Sequence, residues 1–372
     1  MGIIESQALS ELHALHEMLA EMCIGGSMAF QRALRCVKAI EWHLARPVRI
    51  AVLGEENSGK SLFLNYLLEH QILPASRFSP DETEILIRYA PEPSVYVVSK
   101  EGHRARLTSH AFGALSKADA RPKPRSSNII YQASGPSSGG SEAARMFAKP
   151  GGSNPPSRLI DVGLPIEMLR DIEMIEVRSM PDAKTATPAS LAFRQVDIAI
   201  WCTLATQAWK ETEAISWRSI PPARRQLALM LVTYKDAIHD RQDEIKILER
   251  LYRATPGMFK DILLVSFKDA VAALLEADEE KARELKNDSN VEAITRTLVL
   301  MVQDRKAQRL RKASRLLRTV AAMIAQYGES DAKLDRKRRA AAERLDQLAD
   351  VLLDIAPSVS LKVEAAEPRL GI

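Results

Sequence analysis

The residues best equipped for chemistry form one short run, Gly54-Glu55-Glu56-Asn57-Ser58-Gly59-Lys60-Ser61. It satisfies G-x-x-x-x-G-K-S, the spacing of a loop that wraps phosphate groups. Gly54 and Gly59 free the backbone to curl, so that successive N–H groups point at phosphate oxygens. A helix opening at Lys60 aims the positive end of its dipole at the same anion. The Lys60 ammonium reaches the β- and γ-phosphates, and the Ser61 hydroxyl offers a hard oxygen to Mg²⁺. Leu62 completes the expected nucleotide-binding set.

Such a motif carries weight only between a strand and a helix, and the flanking sequence supplies both. Residues 48–53 form a short apolar run, and residues 61–69 read as helix. Further on, residues 85–89 and 95–98 read as strands around Pro91 and Pro93. Residues 172–177, 196–204, 227–232 and 262–265 are apolar runs separated by helical stretches. That alternation predicts an α/β fold with a mostly parallel sheet. Residues 117–157 are rich in Ser, Gly, Pro, Lys and Arg and read as a flexible insertion, strand-like only at 128–132.

The ends of the chain read as helix. Leu9, Leu12, Leu15, Leu19 and Met22 share one face, and Phe30, Leu34, Val37, Ile40 and Leu44 share another, with Gly25-Gly26 between. From about 290, Val291, Ile294, Leu298 and Val302 continue a stripe that resumes at Leu345, Leu348, Leu352 and Ile355. The expected organisation is a helical hairpin at 1–46, a P-loop domain at 47–275, C-terminal helices at 276–356 that bundle with the hairpin, and a frayed tail at 357–372.

The stretch Gly54-Glu-Glu-Asn-Ser-Gly-Lys-Ser-Leu-Phe-Leu-Asn-Tyr-Leu-Leu, followed by Ile72-Leu73-Pro74, resembles the G domain of dynamin-like GTPases, the bacterial ones in particular. Those read G-E-F-x-S-G-K-S-T-x-[IL]-N-A-L-L-G…[IL]-L-P. The resemblance is close over residues 50–90, thinner to about 270, and reaches the terminal helices by position only. It implies GTP as ligand and substrate, GDP as product, and Mg²⁺ as cofactor. It also assigns Thr83 as the switch threonine that binds Mg²⁺ and helps hold the attacking water.

Other family elements appear in altered form. Over the family's D-T-P-G, Glu176 takes the place of the aspartate, a metal position, and Ser179 that of the glycine. Serine keeps an N–H for the γ-phosphate but gives up glycine's freedom in φ. Over [NT]-K-x-D, Thr233-Tyr234-Lys235-Asp236 keeps the first and last positions. There Asp236 would accept from guanine N1 and its exocyclic amine, and Tyr234 could stack on the base in place of lysine. Ser266-Phe267-Lys268 resembles the S-A-K loop that supports guanine. Glu56 and Asn57 stand where vigorous dynamins carry Gln-Ser, which places Glu56 beside Lys60 and Thr83 in the expected catalytic set. A carboxylate there repels the γ-phosphate unless it faces solvent or metal, so slow hydrolysis is expected.

Two readings from different classes follow. One is a slow GTPase that dimerises through G domains or associates with a partner or a membrane. The other is a nucleotide-stabilised scaffold without turnover, motivated by Glu56, Glu176, Ser179 and Tyr234. No substrate or lid motif supports an ATPase or kinase. Trp209, in a loop after the 196–204 run, is a candidate for contact between G domains.

Composition narrows the setting. The 372 residues carry a net charge of +4, with about 13 basic and 4 acidic side chains between Arg305 and Arg344. That basic tail could meet an anionic membrane surface. It lacks the interleaved aromatics of nucleic-acid binders, so nucleic acid is not an expected partner. Three separated cysteines give neither a disulfide framework nor a zinc signature, and the seven histidines are scattered, so no metal cluster is expected. The expected location is cytoplasmic, at most peripheral at a membrane.

Overall fold

The computed structural model describes residues 3–22, 28–68, 84–98, 103–106, 159–177, 195–326 and 332–361. Thr83, Ser179, the 117–157 insertion and the tail beyond 361 lie outside them. Two compact units emerge, Arg49–Thr297 and Met1–Val48 with Leu298–Ile372.

The first unit is built on a nine-stranded sheet in the order β4-β3-β5-β2-β6-β1-β7-β8-β9. The strands are β1 (Val48–Leu53), β2 (Glu84–Tyr89), β3 (Ser94–Val98), β4 (Arg104–Arg106), β5 (Leu159–Leu164), β6 (Ile172–Glu176), β7 (Ile198–Leu204), β8 (Ala228–Thr233) and β9 (Asp261–Leu264). Strands β1, β7, β8 and β9 pair in parallel. Their near-continuous apolar sequences follow from being covered on both faces. Beside them β2 runs antiparallel to β6 and parallel to β5, and β3 is antiparallel to both β5 and β4.

Strands β4 and β5 were not legible in sequence. Asp161 and Gly163 interrupt the apolar pattern of β5, and each is explained by packing. The Asp161 carboxylate accepts from Arg88 Nε at 2.7 Å and from Arg104 Nη2 at 2.7 Å, tying three strands together. At Gly163 a Cβ would lie 2.6 Å from the Ala90 Cβ and 2.5 Å from Ser94 Oγ, so a larger residue would push the neighbouring chain aside.

The helices of this unit are α3 (Lys60–Leu67), α4 (Glu211–Ser219), α5 (Arg241–Ala254), α6 (Phe267–Leu275) and α7 (Glu279–Ser289). Three open on side-chain caps: Asp240 accepts from the Gln242 N–H, Ser266 from Asp269 and Asp278 from Glu280. A dense aromatic group under α4 joins Trp201, Trp209, Trp217 and Phe259, with ring centroids 4.7–6.1 Å apart.

The second unit contains α1 (Ile3–Met22), α2 (Met28–Ala45), most of α8 (Val291–Ala325) and α9 (Ala332–Leu361). Leu12, Leu15 and Leu19 of α1 share one core with Phe30, Val37 and Ile40 of α2. Leu317 and Val320 of α8 and Leu345, Leu348 and Leu352 of α9 close it. Buried alanines at 33, 307, 313, 341, 349 and 356 let the helices approach closely. Helix α9 continues to Leu361, past the residue 356 read from sequence, with Pro357 inside it. Helix α7 clusters with the sheet unit rather than with the terminal helices.

The basic tail is only partly available to an external partner. Arg338 is buried and donates to the Ile324 and Ala325 carbonyls, closing the C-terminal end of α8. Arg309 donates to the Arg46 and Pro47 carbonyls, and Arg344 pairs with Glu11. Arg311, Lys312, Arg315 and Arg336 remain exposed. No helix among the described residues is long and apolar enough to cross a membrane.

Candidate functional site

At the C-terminal end of β1 the chain turns through the glycine loop into α3. Gly54 has φ 137°, and a Cβ there would stand 2.2 Å from the Cys202 carbonyl oxygen of β7. Gly59 has φ 85°, and its Cβ would lie 3.0 Å from the Thr233 methyl of β8. The loop is therefore pressed against the ends of two neighbouring strands, which only glycine permits at these conformations. Asn57 also adopts a left-handed φ of 61°, a conformation asparagine tolerates better than most residues.

Lys60 is buried, and its ammonium donates to the carbonyls of Gly54 at 2.9 Å and Glu55 at 2.6 Å. A buried ammonium needs acceptors, and the curled loop supplies them. The Ser61 hydroxyl donates to Oε1 of Glu176 at 2.8 Å, and Glu176, the last residue of β6, is buried. Two of the three expected metal positions thus meet, and the third, Thr83, lies outside the described residues. A hydroxyl and a buried carboxylate at one point are hard oxygen donors that fit Mg²⁺. Ser58 Oγ is buried without a hydrogen-bond partner among the described residues.

Several expected contacts act through the loop rather than on a ligand. Thr233 is fully buried, its hydroxyl 3.0 Å from the Ser58 carbonyl oxygen and 3.1 Å from that of Thr203. It positions the glycine loop. The Glu55 carboxylate accepts from the Thr212 hydroxyl at 2.5 Å and faces Lys210 at 3.4 Å, so it ties the loop tip to the start of α4. Glu56 and Asn57 are exposed, which turns the Glu56 carboxylate toward solvent. Leu62 is half-buried on α3.

The expected base-reading residues converge at the ends of β8 and β9. Asp236 Oδ1 accepts from the Ser266 hydroxyl at 3.2 Å, with Lys268 Nζ 3.5 Å from Oδ2. Tyr234 is exposed and takes a left-handed φ of 61°. Two side chains fall elsewhere. Phe267 is buried with its ring 6.0 Å from that of Phe63 and 5.8 Å from that of Tyr66, so it fastens α6 to α3 and leaves only its backbone for a base. Lys235 donates to the Asp288 carbonyl at 2.6 Å, joining the end of α7.

Sequence reasoning missed the groups that brace this loop. Ser266 N–H donates to the Ser289 carbonyl and Asn290 Nδ2 to the Leu264 carbonyl, so the α7–α8 junction supports the Asp236–Ser266 pair. Glu213 is buried and accepts from Trp201 Nε1, Thr203 Oγ1 and the Lys210 N–H, at 3.1, 3.0 and 2.9 Å. The only signal for Glu213 was its place in the first turn of a helix.

Burial pushes the Cys202 thiol up to about 12, opposed by the nearby Lys60 charge. Trp209, half-buried, packs edge-on against Trp201 and Phe259, so its removal would disturb packing as well as any surface contact. An open cleft of about 810 Å³ lies between the loop after β7 and the start of α5. It is lined by Trp209, Lys210, His239, Asp243 and Arg250 among others and contains none of the phosphate-loop residues.

Solved structures similar to this chain include two chains of an oligomerised bacterial dynamin pair, described as a mechanism for long-range sensing and tethering of membranes. Each is 16% identical, with TM-scores of 0.44 and 0.45, over 83% and 87% of this chain. This chain spans less than half of those proteins, 45% and 46%. A variant of Era from Aquifex aeolicus, bound to GDP and AlF4⁻, is similar at 12% identity and a TM-score of 0.33, over 76% of this chain and 69% of its own. No family model matches the sequence, and no curated protein does.

Proposed function

We propose that this chain is a GTP-binding protein with slow, Mg²⁺-dependent GTPase activity, built like a dynamin-like G domain with a short helical body. The observation that carries the reading is the junction of Lys60, Ser61 and Glu176. A buried ammonium rests on the loop's own carbonyls, beside a hydroxyl–carboxylate pair suited to a divalent ion. A triphosphate would draw Lys60 off Gly54 and Glu55, while Ser61 and Glu176 would hold Mg²⁺, directly or through its water. Mg²⁺ would supply neutralisation of the phosphate charge there.

The Asp236–Ser266 pair supports guanine, because a carboxylate at that edge accepts from guanine's N1 and amino group and finds no such donors on adenine. The outward Glu56 side chain spares the γ-phosphate the expected repulsion. The absence of a glutamine there leaves the attacking water poorly oriented, which accords with slow turnover. The long reach of Glu176 and its direct bond to Ser61 favour a second reading, a nucleotide-held scaffold with background turnover. We further propose homodimerisation through the G domains and association with anionic lipid through the exposed Arg311, Lys312, Arg315 and Arg336.

Titration with fluorescent GTP and ATP analogues in Mg²⁺, followed by phosphate release, tests the reading. GTP binding should weaken roughly 10- to 100-fold in Lys60→Ala, the worth of one charge-assisted contact. Release above background supports the GTPase, and binding without release supports the scaffold. Equal affinity for GTP and ATP would remove the role given to Asp236. Binding to anionic but not neutral vesicles, lost at high salt, is the expected membrane result.

A further inference from the structure

The histidines are scattered in sequence, yet folding gathers two of them around one carboxylate. His13 and His16 lie three residues apart on α1 and so share a helix face. Glu41 of α2 stands opposite. Its Oε1 is 2.8 Å from His13 Nδ1 and its Oε2 is 3.1 Å from His16 Nδ1. One ligand atom from each residue lies within 4.8 Å of the other two.

We propose that His13, His16 and Glu41 form a transition-metal site, with Zn²⁺ as the fitting ion, that clasps α1 to α2. Imidazole nitrogens with one carboxylate select zinc-like ions over Mg²⁺ or Ca²⁺. Tetrahedral zinc with bonds of ~2.0–2.1 Å needs ligand atoms about 3.3 Å apart, which one Glu41 oxygen and one nitrogen of each histidine, gathered within 4.8 Å of one another, reach by small side-chain rotations. In the metal-free site each Nδ1 carries the proton that it donates to Glu41. On binding, that proton is lost from Nδ1, each imidazole is left with a single proton on Nε2, and the ion takes the Nδ1 lone pairs. His13 Nε2 then faces Glu17, whose Oε1 is 3.6 Å away, as an orienting outer carboxylate. The fourth position is left to water.

The framework is rigid enough to hold such geometry. Leu12, Leu15 and Ile40, each adjacent in sequence to one ligand, are buried in the core shared by α1 and α2. His16 and Glu41 are about three-quarters buried, while His13 is largely open and gives the ion its entry. The ion would cross-link the two helices next to their apolar seam.

Untagged full-length protein, free of nucleotide, should be titrated with ZnCl₂ by calorimetry and with Co²⁺ by visible absorption. One equivalent should bind, with tetrahedral cobalt bands. Affinity should fall at least tenfold in His16→Ala and in Glu41→Gln, and His13→Gln, at an exposed position, should match them in a chain of unchanged helix content. Lys60→Ala should bind zinc as the parent does, which separates this site from the phosphate loop. No saturable binding at micromolar Zn²⁺, or equal binding by parent and the three variants, would overturn the proposal.

Discussion

Replacing Thr233 by valine exchanges a single hydroxyl for a methyl of nearly the same size at the point where β8 supports the phosphate loop. The hydroxyl lies 3.0 Å from the Ser58 carbonyl oxygen, in a position closed to water. Valine leaves that carbonyl without its donor and sets a methyl against it. The loss of a buried hydrogen bond with an unsatisfied partner costs about 1–3 kcal/mol. In a unit of this size each kcal/mol lowers the melting midpoint by roughly 2–4 °C, so a fall of roughly 2–12 °C is expected. Thr233→Ser is the matched control, because it keeps the hydroxyl and gives up the methyl that packs near Gly59. Its cost is about 1 kcal/mol, the scale of one buried methyl. The two variants should separate in nucleotide affinity. Valine, which frees the loop, should weaken GTP binding about tenfold or more, and serine should change it little. Thermal melting and fluorescent-nucleotide titration of both variants provide the test. Equal affinities, or a valine variant as stable as the parent, would refute the role assigned to this hydroxyl.

Gly54→Ala should be severe, since its Cβ would meet the Cys202 backbone 2.2 Å away at a φ that alanine resists. We expect a lowered urea midpoint together with lost nucleotide binding, and a variant that binds GTP like the parent would mean the loop is looser than described. The Cys202 thiol, pushed up to about 12 in the folded chain, titrates near 8.5 when unfolded. The folded form therefore retains a proton that the unfolded form releases, and stability is whole below about pH 8.5. It should fall as pH rises toward 12, by up to ~1.4 kcal/mol per unit from this group. Urea midpoints of parent and Cys202→Ala at pH 7.5 and 10 measure it, and an identical pH dependence in both would contradict the assignment.

Much of this protein was readable from local order. The G-x-x-x-x-G-K-S run, the apolar strand before it and the helix after it are consecutive in sequence, and the structure sets them as strand, curled loop and helix. The buried central strands β1, β6, β7 and β8 were legible because continuous apolar runs bounded by polar turns have few other solutions. The meeting of Ser61 with Glu176, and of Asp236 with Ser266, was anticipated from resemblance; spacing alone could not have supplied it.

Tertiary structure decided the rest, because burial and pairing depend on what lies opposite in space. Phe267 and Lys235 have the composition of ligand contacts, yet helix packing draws one into the core against α3 and the other to the end of α7. Strand β5 carries Asp161 and Gly163, which look like loop residues until two arginines and a close neighbouring chain account for them. Glu213 is marked in sequence only by its place in the first turn of a helix, and becomes a structural acceptor only when Trp201 and Thr203 arrive from β7. The same holds for His13, His16 and Glu41. One apolar face per helix is legible in the residue pattern, and the packing of those faces brought three polar side chains from their edges within reach of a single ion.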